Sequence, residues 1–364
     1  MKLLALAAAS GPVPVGPGRG RSQVEDPREP ADAAGVDPGS LAAFFEQRVS
    51  TLPPAAGVCE SVWRDALYAP LAEYLGRSGK LVRARLVRHG WQLGGGRGEP
   101  PQTLCLLPEI LHSASLIVDD LQDGAVTRRG GPALHRVIGP ERALNAANWL
   151  YFWPYGLLDE LRLSAARRRA CVELITATLL DCHRGQALDL GVQVWTLAQD
   201  SVPELVAEQS RLKTGCLTAL CVALGAVAGG ASAARVDALQ RFGERVGVGL
   251  QMLDDLTAVL VADRHDKAGE DLRCGRPTWA WALAAQRCSQ WQYHALAREA
   301  RAAVERGDWQ AVCAELATLI GADALAPARA VLKEAGDLLA AHGFAAAAVS
   351  DVRGDLDRLE RAYG

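Results

Sequence analysis

No Cys-x-x-Cys pair occurs in this chain, although it holds nine cysteines among 364 residues. Scattered thiols in an odd number, without metal-ligand spacing, read as reduced and mostly buried thiols of a cytoplasmic protein. An excess of charge of one sign is missing too. Lys and Arg number 39 against 42 Asp and Glu, with a pI near 6.2, so no global basic field points to nucleic acid. No alternating apolar–polar run lasts beyond a few residues and no internal repeat is found, which leaves little room for a sheet or a solenoid.

The opening "MKLLALAAASG" has Lys2, a brief apolar run and small residues, but the run is short and nothing after it looks secreted, so export is not expected. Residues 1–35 hold five of the eighteen prolines and little apolar mass, and are expected to form a disordered tail. One uncharged stretch, residues 215–234, is long enough to cross a membrane. It is rich in Gly and Ala and poor in large apolar side chains, which suits a central bundle helix better than a span. An integral membrane protein is therefore not expected.

What the chain does have is helical periodicity. From about residue 37 onward Ala, Leu, Glu, Arg and Gln predominate, and apolar residues recur at three- and four-residue spacing. Asp37 can cap and Pro38 suits a first turn. Periodic segments run at about 60–76, 80–94, 101–126, 141–160, 165–192, 203–230, 234–262 and 277–304, with shorter ones at 308–320, 326–341 and 344–361. The stretches "GGGRGEPP", "RRGGP" and "KAGEDLRCGRP" read as punctuation. Residues 36–364 are expected to form a single all-α domain, one large helical bundle.

Carboxylates stand out within it. "SLIVDDLQDGAVTRRGG", residues 115–131, puts Asp119, Asp120 and Asp123 at the end of an apolar segment, where mutual repulsion and desolvation argue against a role in stability. Asp119 and Asp123 are four apart and share a helix face. A second pair, Asp254-Asp255, lies in "GVGLQMLDDLTAVL". A single acidic pair is ordinarily a solvated surface; two, each at the end of a buried-looking helix, form an oxygen-rich site. Such donors suit Mg²⁺ completed by substrate phosphates, and the absence of His or Cys from both clusters argues against zinc. Lys80, Arg83, His112, Arg128, Arg129 and Lys213 fall beside these helices or at helix ends, where they can hold diphosphate oxygens. Taken alone, charged helix ends are common, and a lone His112 would be an ordinary hydrogen-bonded core residue.

These residues carry a resemblance. The chain resembles the trans-isoprenyl diphosphate synthases of the polyprenyl synthetase family over roughly residues 40–300. "DDLQD" is similar to the first aspartate-rich motif DDxxD and "RRGGPALH" to the RRGxPxxH segment after it. "GKLVRARL" resembles GKxxR, "HRGQALDL" the GQxxDL helix, and "KTG" the KTG loop. "QMLDDL" and "GEDLRCGRPT" resemble the second aspartate-rich region and its downstream loop. "LHSASLIVDD", "NAANWLYF" and "GEDL" are closer to the eukaryotic-type geranylgeranyl diphosphate synthases. Three positions depart from the pattern: Ala258 stands for the last Asp of the second motif, Arg276 for the usual Lys, and Asn148 for an Asp common in bacterial members.

The resemblance implies an isoprenoid-synthase bundle that joins an allylic prenyl diphosphate to isopentenyl diphosphate, working as a homodimer. Asp119, Asp120, Asp123 and Asp254 would hold Mg²⁺, three ions per site with the substrate diphosphate, and Asp255 would stand beside them. Arg128 would flank the allylic diphosphate, while Lys80, Arg83, His112 and Arg129 would grip isopentenyl diphosphate. Lys213, Lys267 and Arg276 would close over the leaving diphosphate, and Gln251 and Thr214 would point dipoles at the allylic cation. No side chain stands out as a general base, so the released diphosphate would take the proton. For chain length, small Ala114 and Ser115 would let the tail pass, and Tyr151, Phe152 and His183 would floor the pocket, giving geranylgeranyl diphosphate (C20) from farnesyl diphosphate or shorter primers. Two other expectations stand beside this one. A class I terpene cyclase shares the fold, and Trp149, Trp153, Trp279 and Trp281 could stabilise carbocations or simply pack in the core. A non-catalytic partner subunit would be expected to have lost the intact "DDLQD".

Overall fold

Almost every periodic segment becomes a helix in the computed structural model, which describes residues 38–52, 57–77 and 79–362. The expected tail at 1–35 and the cap Asp37 lie outside these residues. Helix α1 (Pro38–Val49) opens the described chain; α2 (Val58–Trp63) runs through a π-turn at Arg64–Tyr68 into α3 (Ala69–Leu75), and α4 (Val82–Leu93) follows. Helix α5 (Gln102–Asp123) ends on Gly124, whose φ of 64° is a left-handed cap. A two-residue antiparallel hairpin, β1 (Thr127–Arg128) with β2 (Gly131–Pro132), comes next.

Then come α6 (Leu134–Ile138), α7 (Pro140–Leu157) and α8 (Ala165–Gly191). Helix α9 (Val202–Ser210) passes through a second π-turn, Arg211–Gly215, into α10 (Cys216–Gly229), and α11 (Ala233–Leu260) follows. The remainder is α12 (His265–Cys274), α13 (Trp279–Arg287), α14 (Gln290–Arg306), α15 (Gln310–Ile320), α16 (Ala326–Ala341) and α17 (Ala346–Arg361).

Two boundaries differ from the periodicity. Residues 277–304 are two helices, because Ser289 caps the second: its Oγ accepts from the Gln292 N–H and the Gln292 side chain accepts from the Ser289 N–H at 3.0 Å. The stretch read as punctuation, "KAGEDLRCGRP", is mostly α12. Its Gly269 sits against the Trp309 ring, where a Cβ would clash, and Gly275 at φ +69° ends the helix.

The Gly- and Ala-rich segment is central. In α10, twelve of fourteen residues are buried, and 78 % of the most apolar stretch of the continuous helical run Gln199–Gly229 is covered by the rest of the protein, as in a core helix. Small residues are needed because backbones meet. A Cβ on Gly225 would overlap the Val87 carbonyl of α4, and one on Gly94 would lie 2.7 Å from Ala226 Cα. On its other side, a Cβ on Gly243 of α11 would lie 2.7 Å from Ala219 Cα. This close approach fixes α4, α10 and α11 relative to one another, and with them the side chains of the site.

Gly225→Val forces a branched side chain into the α4–α10 contact and is expected to destabilise by about 1–3 kcal/mol or more, read as a lower urea midpoint. Gly156→Ala in α7, where nothing lies within 4 Å, is the control and should lose nothing.

Candidate active site

The ends of α5 and α11, with parts of α4, α8, α10, α12 and the second π-turn, enclose a cavity of about 630 Å³. All but three of the residues singled out from the sequence as catalytic, binding or tail-pocket positions line it; Asp120, Ala114 and Phe152 do not.

On α5, Asp119 and Asp123 face the cavity, and Asp120, about 100° away around the helix, does not. Its carboxylate is 1 % exposed and takes the Arg128 Nε–H at 2.7 Å and the Arg128 Nη2–H as well. Asp120 thus stands outside the cavity lining, as the anchor of Arg128. Burial pushes its carboxyl above the usual range, against the pull of Arg128. Burial and the neighbouring Asp119 raise Asp123 in the same way, against its ion pair with Arg276.

Lys213 reaches across to these carboxylates. Its Nζ lies 3.7 Å from Asp119 Oδ1 and donates to Asp189 Oδ2 at 2.6 Å. The π-turn matters here, because its extra residue re-aims Lys213 and Thr214 relative to a regular helix. Thr214 Oγ1 donates to Gln251 Oε1 and Gln251 Nε2 donates to Asp255 Oδ1, both at 2.7 Å. Asp255 Oδ2 in turn accepts the Trp279 N–H at 3.0 Å, so the same carboxylate holds the start of α13.

Asp254 is gripped by Lys267 and by Arg264 Nη2 at 2.7 Å. Although burial raises it, these cations hold it below the usual carboxylate range. Ala258 is 1 % exposed within the core, so that position presents nothing to the cavity. Among the lining residues that the sequence analysis did not single out are Gln186, whose Nε2 donates to Asp119 Oδ1 at 3.1 Å, Asp189 and Asp271. The first two lie in the quoted GQxxDL-like stretch and could have been taken from it; Asp271 was hidden by reading its segment as a loop.

The cationic set lies on the other side. Lys80, Arg83, His112 and Arg129 all line the cavity. Glu109 Oε1 accepts the Arg83 and Ala84 backbone N–H groups at 3.0 and 3.1 Å and caps α4, so its charge acts on Arg129 through space rather than as an ion pair. Arg83 Nε is buried without a hydrogen-bond partner. Neither Arg83 nor Arg129 forms an ion pair among the described residues. Burial, then Arg83 and Arg129, hold His112 well below its usual value and keep it neutral. The only two non-glycine residues with positive φ among those described, Leu81 (44°) and Arg129 (49°), both line this part. Backbone strain of that kind persists where surrounding structure overrides it, and it concentrates at functional positions. An orphaned cationic donor, Arg83 Nε, beside the strained backbones of Leu81 and Arg129 is an arrangement for an anion.

Behind the charges the wall is apolar, with Leu116, Val118, Leu179, Leu217 and Leu250 beside Ser115. Tyr151 and His183 stand together at 5.6 Å between ring centroids. Phe152 is 73 % exposed on the outer face of α7 and does not line the cavity. Ala114 is fully buried in the core on a face that does not reach the cavity. The tryptophans are also elsewhere. Trp149 and Trp153 stack at 5.2 Å and pack on Phe45, Trp281 packs on Tyr293, and Trp279 donates to Ser210 Oγ at 2.8 Å.

Asp271 is the least compensated carboxyl. Burial, opposed by Lys267 but reinforced by Asp255, Asp189 and Asp254, pushes it up to about 8. A folded value above the unfolded one of about 3.9 means that the folded state binds more protons, so stability falls as pH rises through that window. In EDTA, the urea stability of the wild type should drop between pH 5 and 8.5, by about 1.4 kcal/mol for each pH unit over which the carboxyl is protonated only in the folded protein. Asp271→Asn should flatten the curve and be the more stable protein at pH 8.5.

A model of the polyprenyl synthetase family matches residues 64–316. A geranylgeranyl pyrophosphate synthase of Penicillium janthinellum is 40 % identical over 128 residues, covering 34 % of this chain and 32 % of that protein. Geranylgeranyl pyrophosphate synthase 2 of Zymoseptoria tritici is 32 % identical over 218 residues, 58 % of this chain and 62 % of the relative. The chain thus aligns with about a third to three fifths of the length of these curated relatives. The crystal structure of geranylgeranyl pyrophosphate synthase from Corynebacterium glutamicum, complexed with isoprenyl diphosphate and magnesium, superposes with a TM-score of 0.73 at 23 % identity, covering 89 % of this chain and 97 % of that one. That likeness confirms the all-α fold. With the family match running over more than half of its length, this chain belongs to the polyprenyl synthetase family.

Proposed function

We propose that the protein is a trans-prenyltransferase that condenses an allylic prenyl diphosphate with isopentenyl diphosphate and releases geranylgeranyl diphosphate. One observation carries the reading. A single cavity holds carboxylates on two facing helices and, separately, an arginine pair that forms no ion pair among the described residues, with an apolar pocket behind both. Two diphosphates and one hydrocarbon tail fit that division. A cyclase has no use for the second cationic set, and no tryptophan lines the cavity.

The donor chemistry fits Mg²⁺. Asp119, Asp123 and Asp254 offer hard oxygens, and Lys213, Arg276 and Lys267 now stand against them as substitute cations. Among the described residues no group of three such side chains forms a metal cage by itself, so the three ions expected would draw much of their coordination from substrate oxygens. When bound, Mg²⁺ supplies Lewis-acid stabilisation of the departing diphosphate. Lys213, Lys267 and Arg276 then exchange their carboxylate partners for diphosphate oxygens, adding fixed positive charge where negative charge develops. Arg83, Arg129, Lys80 and neutral His112 hold isopentenyl diphosphate with its double bond toward the allylic carbon. Gln251 and Thr214 are oriented by their mutual hydrogen bond to face the carbon centre with dipoles, not nucleophiles. The apolar wall excludes water, and the released diphosphate accepts the proton.

The tail runs past Ser115 toward Tyr151 and His183, which suits a C20 product and agrees with the names of the relatives. Leu144, Phe152 and Leu180 are exposed on α7 and α8, helices joined by a Tyr155–Thr176 hydrogen bond of 3.1 Å, and we assign this face to a homodimer. All nine cysteines are free, in keeping with a cytoplasmic setting.

Incubation with Mg²⁺, isopentenyl diphosphate and each allylic diphosphate, followed by product sizing, tests the reading. C20 is expected, in EDTA none, and from Ser115→Phe a shift to C15. Arg83→Ala should raise KM for isopentenyl diphosphate roughly 10- to 150-fold while sparing that for the allylic substrate. A cyclic hydrocarbon from one prenyl diphosphate alone would overturn the assignment.

A further inference from the structure

Nine cysteines are free, and two of them touch. Cys182 Sγ on α8 lies 3.4 Å from Cys216 Sγ at the first position of α10. No other two cysteine sulfurs among the described residues come within hydrogen-bonding distance. The contact follows from how closely the elements meet: a Cβ on Gly185, one turn beyond Cys182, would lie 2.8 Å from Leu212 Cβ and 2.9 Å from the Lys213 nitrogen. Glycine there lets α8 lie directly on the π-turn that leads into Cys216.

The two thiols are not equivalent. Cys182 lines the cavity, so a small solute can reach it, whereas Cys216 is buried behind it. The hydrogen bond shared with Cys216, and to a lesser degree the charges of Arg83 and Lys213, lower Cys182 against the effect of burial, while Cys216 is raised. A cavity-lining thiol with a second, buried thiol in contact has the layout of a reacting and a resolving cysteine.

We propose that Cys182 and Cys216 form a peroxide-reactive dithiol that closes to a disulfide in the wall of the cavity. The Cys182 thiolate attacks one oxygen of hydrogen peroxide, the O–O bond breaks, and the departing hydroxide leaves as water after taking a proton. Cys182 is then a sulfenic acid. The Cys216 sulfur attacks it, the S–O bond breaks, and the second hydroxide leaves as water with the Cys216 proton. Two thiols and one peroxide give one disulfide and two waters, a two-electron oxidation. The sulfurs must close by about 1.4 Å to reach bonding distance. Because Cys216 directly follows the turn bearing Lys213 and Thr214, the bond ties that turn to α8. On the reaction assigned above, the tied enzyme turns over less substrate.

Reduced full-length protein is treated with a small excess of hydrogen peroxide, blocked with an alkylating agent, and digested without reduction for peptide mapping. A Cys182–Cys216 cross-linked peptide, two hydrogen masses below the sum and split by dithiothreitol, is expected. In Cys216→Ala the Cys182 sulfenic acid should persist and be trapped by dimedone at least tenfold more than in the wild type. Equal dimedone trapping in both proteins, or no linked peptide from the wild type, would overturn the proposal, and the map needs no assay of prenyl transfer. In cross-linked samples, activity should fall and return with dithiothreitol; full linkage with undiminished turnover would overturn the coupling to the reaction.

Discussion

Carboxylates that face one another across a partly dried cavity repel, and the rest of this structure is arranged around that repulsion. Asp119, Asp123, Asp189, Asp254, Asp255 and Asp271 surround one space, and burial raises three of them above the ordinary carboxylate range. Lys213, Lys267, Arg264 and Arg276 hold the cluster together by ion pairs. None of these pairs is an efficient way to stabilise a fold, since desolvation consumes much of what attraction returns. Their use lies in exchange. On the proposed function, a multivalent anion carrying its own cations would satisfy both partners of each pair at once, releasing the carboxylates to metal and the lysines and arginines to phosphate.

Holding six carboxylates in place requires rigid helices at fixed separation, and the glycines supply it. Backbone contact between α4 and α10 and between α10 and α11 leaves no freedom to slide, because each close approach is bounded by a carbonyl or a Cα. The irregular elements fall where the chemistry is. A π-turn aims Lys213 and Thr214, left-handed Leu81 and Arg129 flank the cationic set, and Asp255 both faces the cavity and starts α13. Local strain at these points is offset by the packing around them.

Much of this could be read in the sequence, and the limits have physical causes. The 3.6-residue period disclosed the helices and placed Asp119 with Asp123, since positions four apart share a face. The same geometry separates neighbours: Asp120 turns toward Arg128 rather than the cavity, and Phe152 faces outward while Tyr151 faces in. Reading adjacent residues together missed that rotation of about 100°. Helix α12 was overlooked because its glycines resemble a loop until Trp309 is seen packed against Gly269. Asp271 was lost with it. Contacts between distant segments, such as Lys213 with Asp189 or Cys182 with Cys216, leave no local pattern at all.

The central claim is that the carboxylates and cations of the cavity exchange partners when a metal-bound diphosphate arrives. Calorimetric titration of inorganic diphosphate into the protein, once with Mg²⁺ and once with EDTA, tests it most directly. Binding at least roughly tenfold tighter with Mg²⁺, a gain of about 1.4 kcal/mol or more, is expected, with the difference lost in Asp119→Asn. Equal affinity with and without the metal ion would contradict the account.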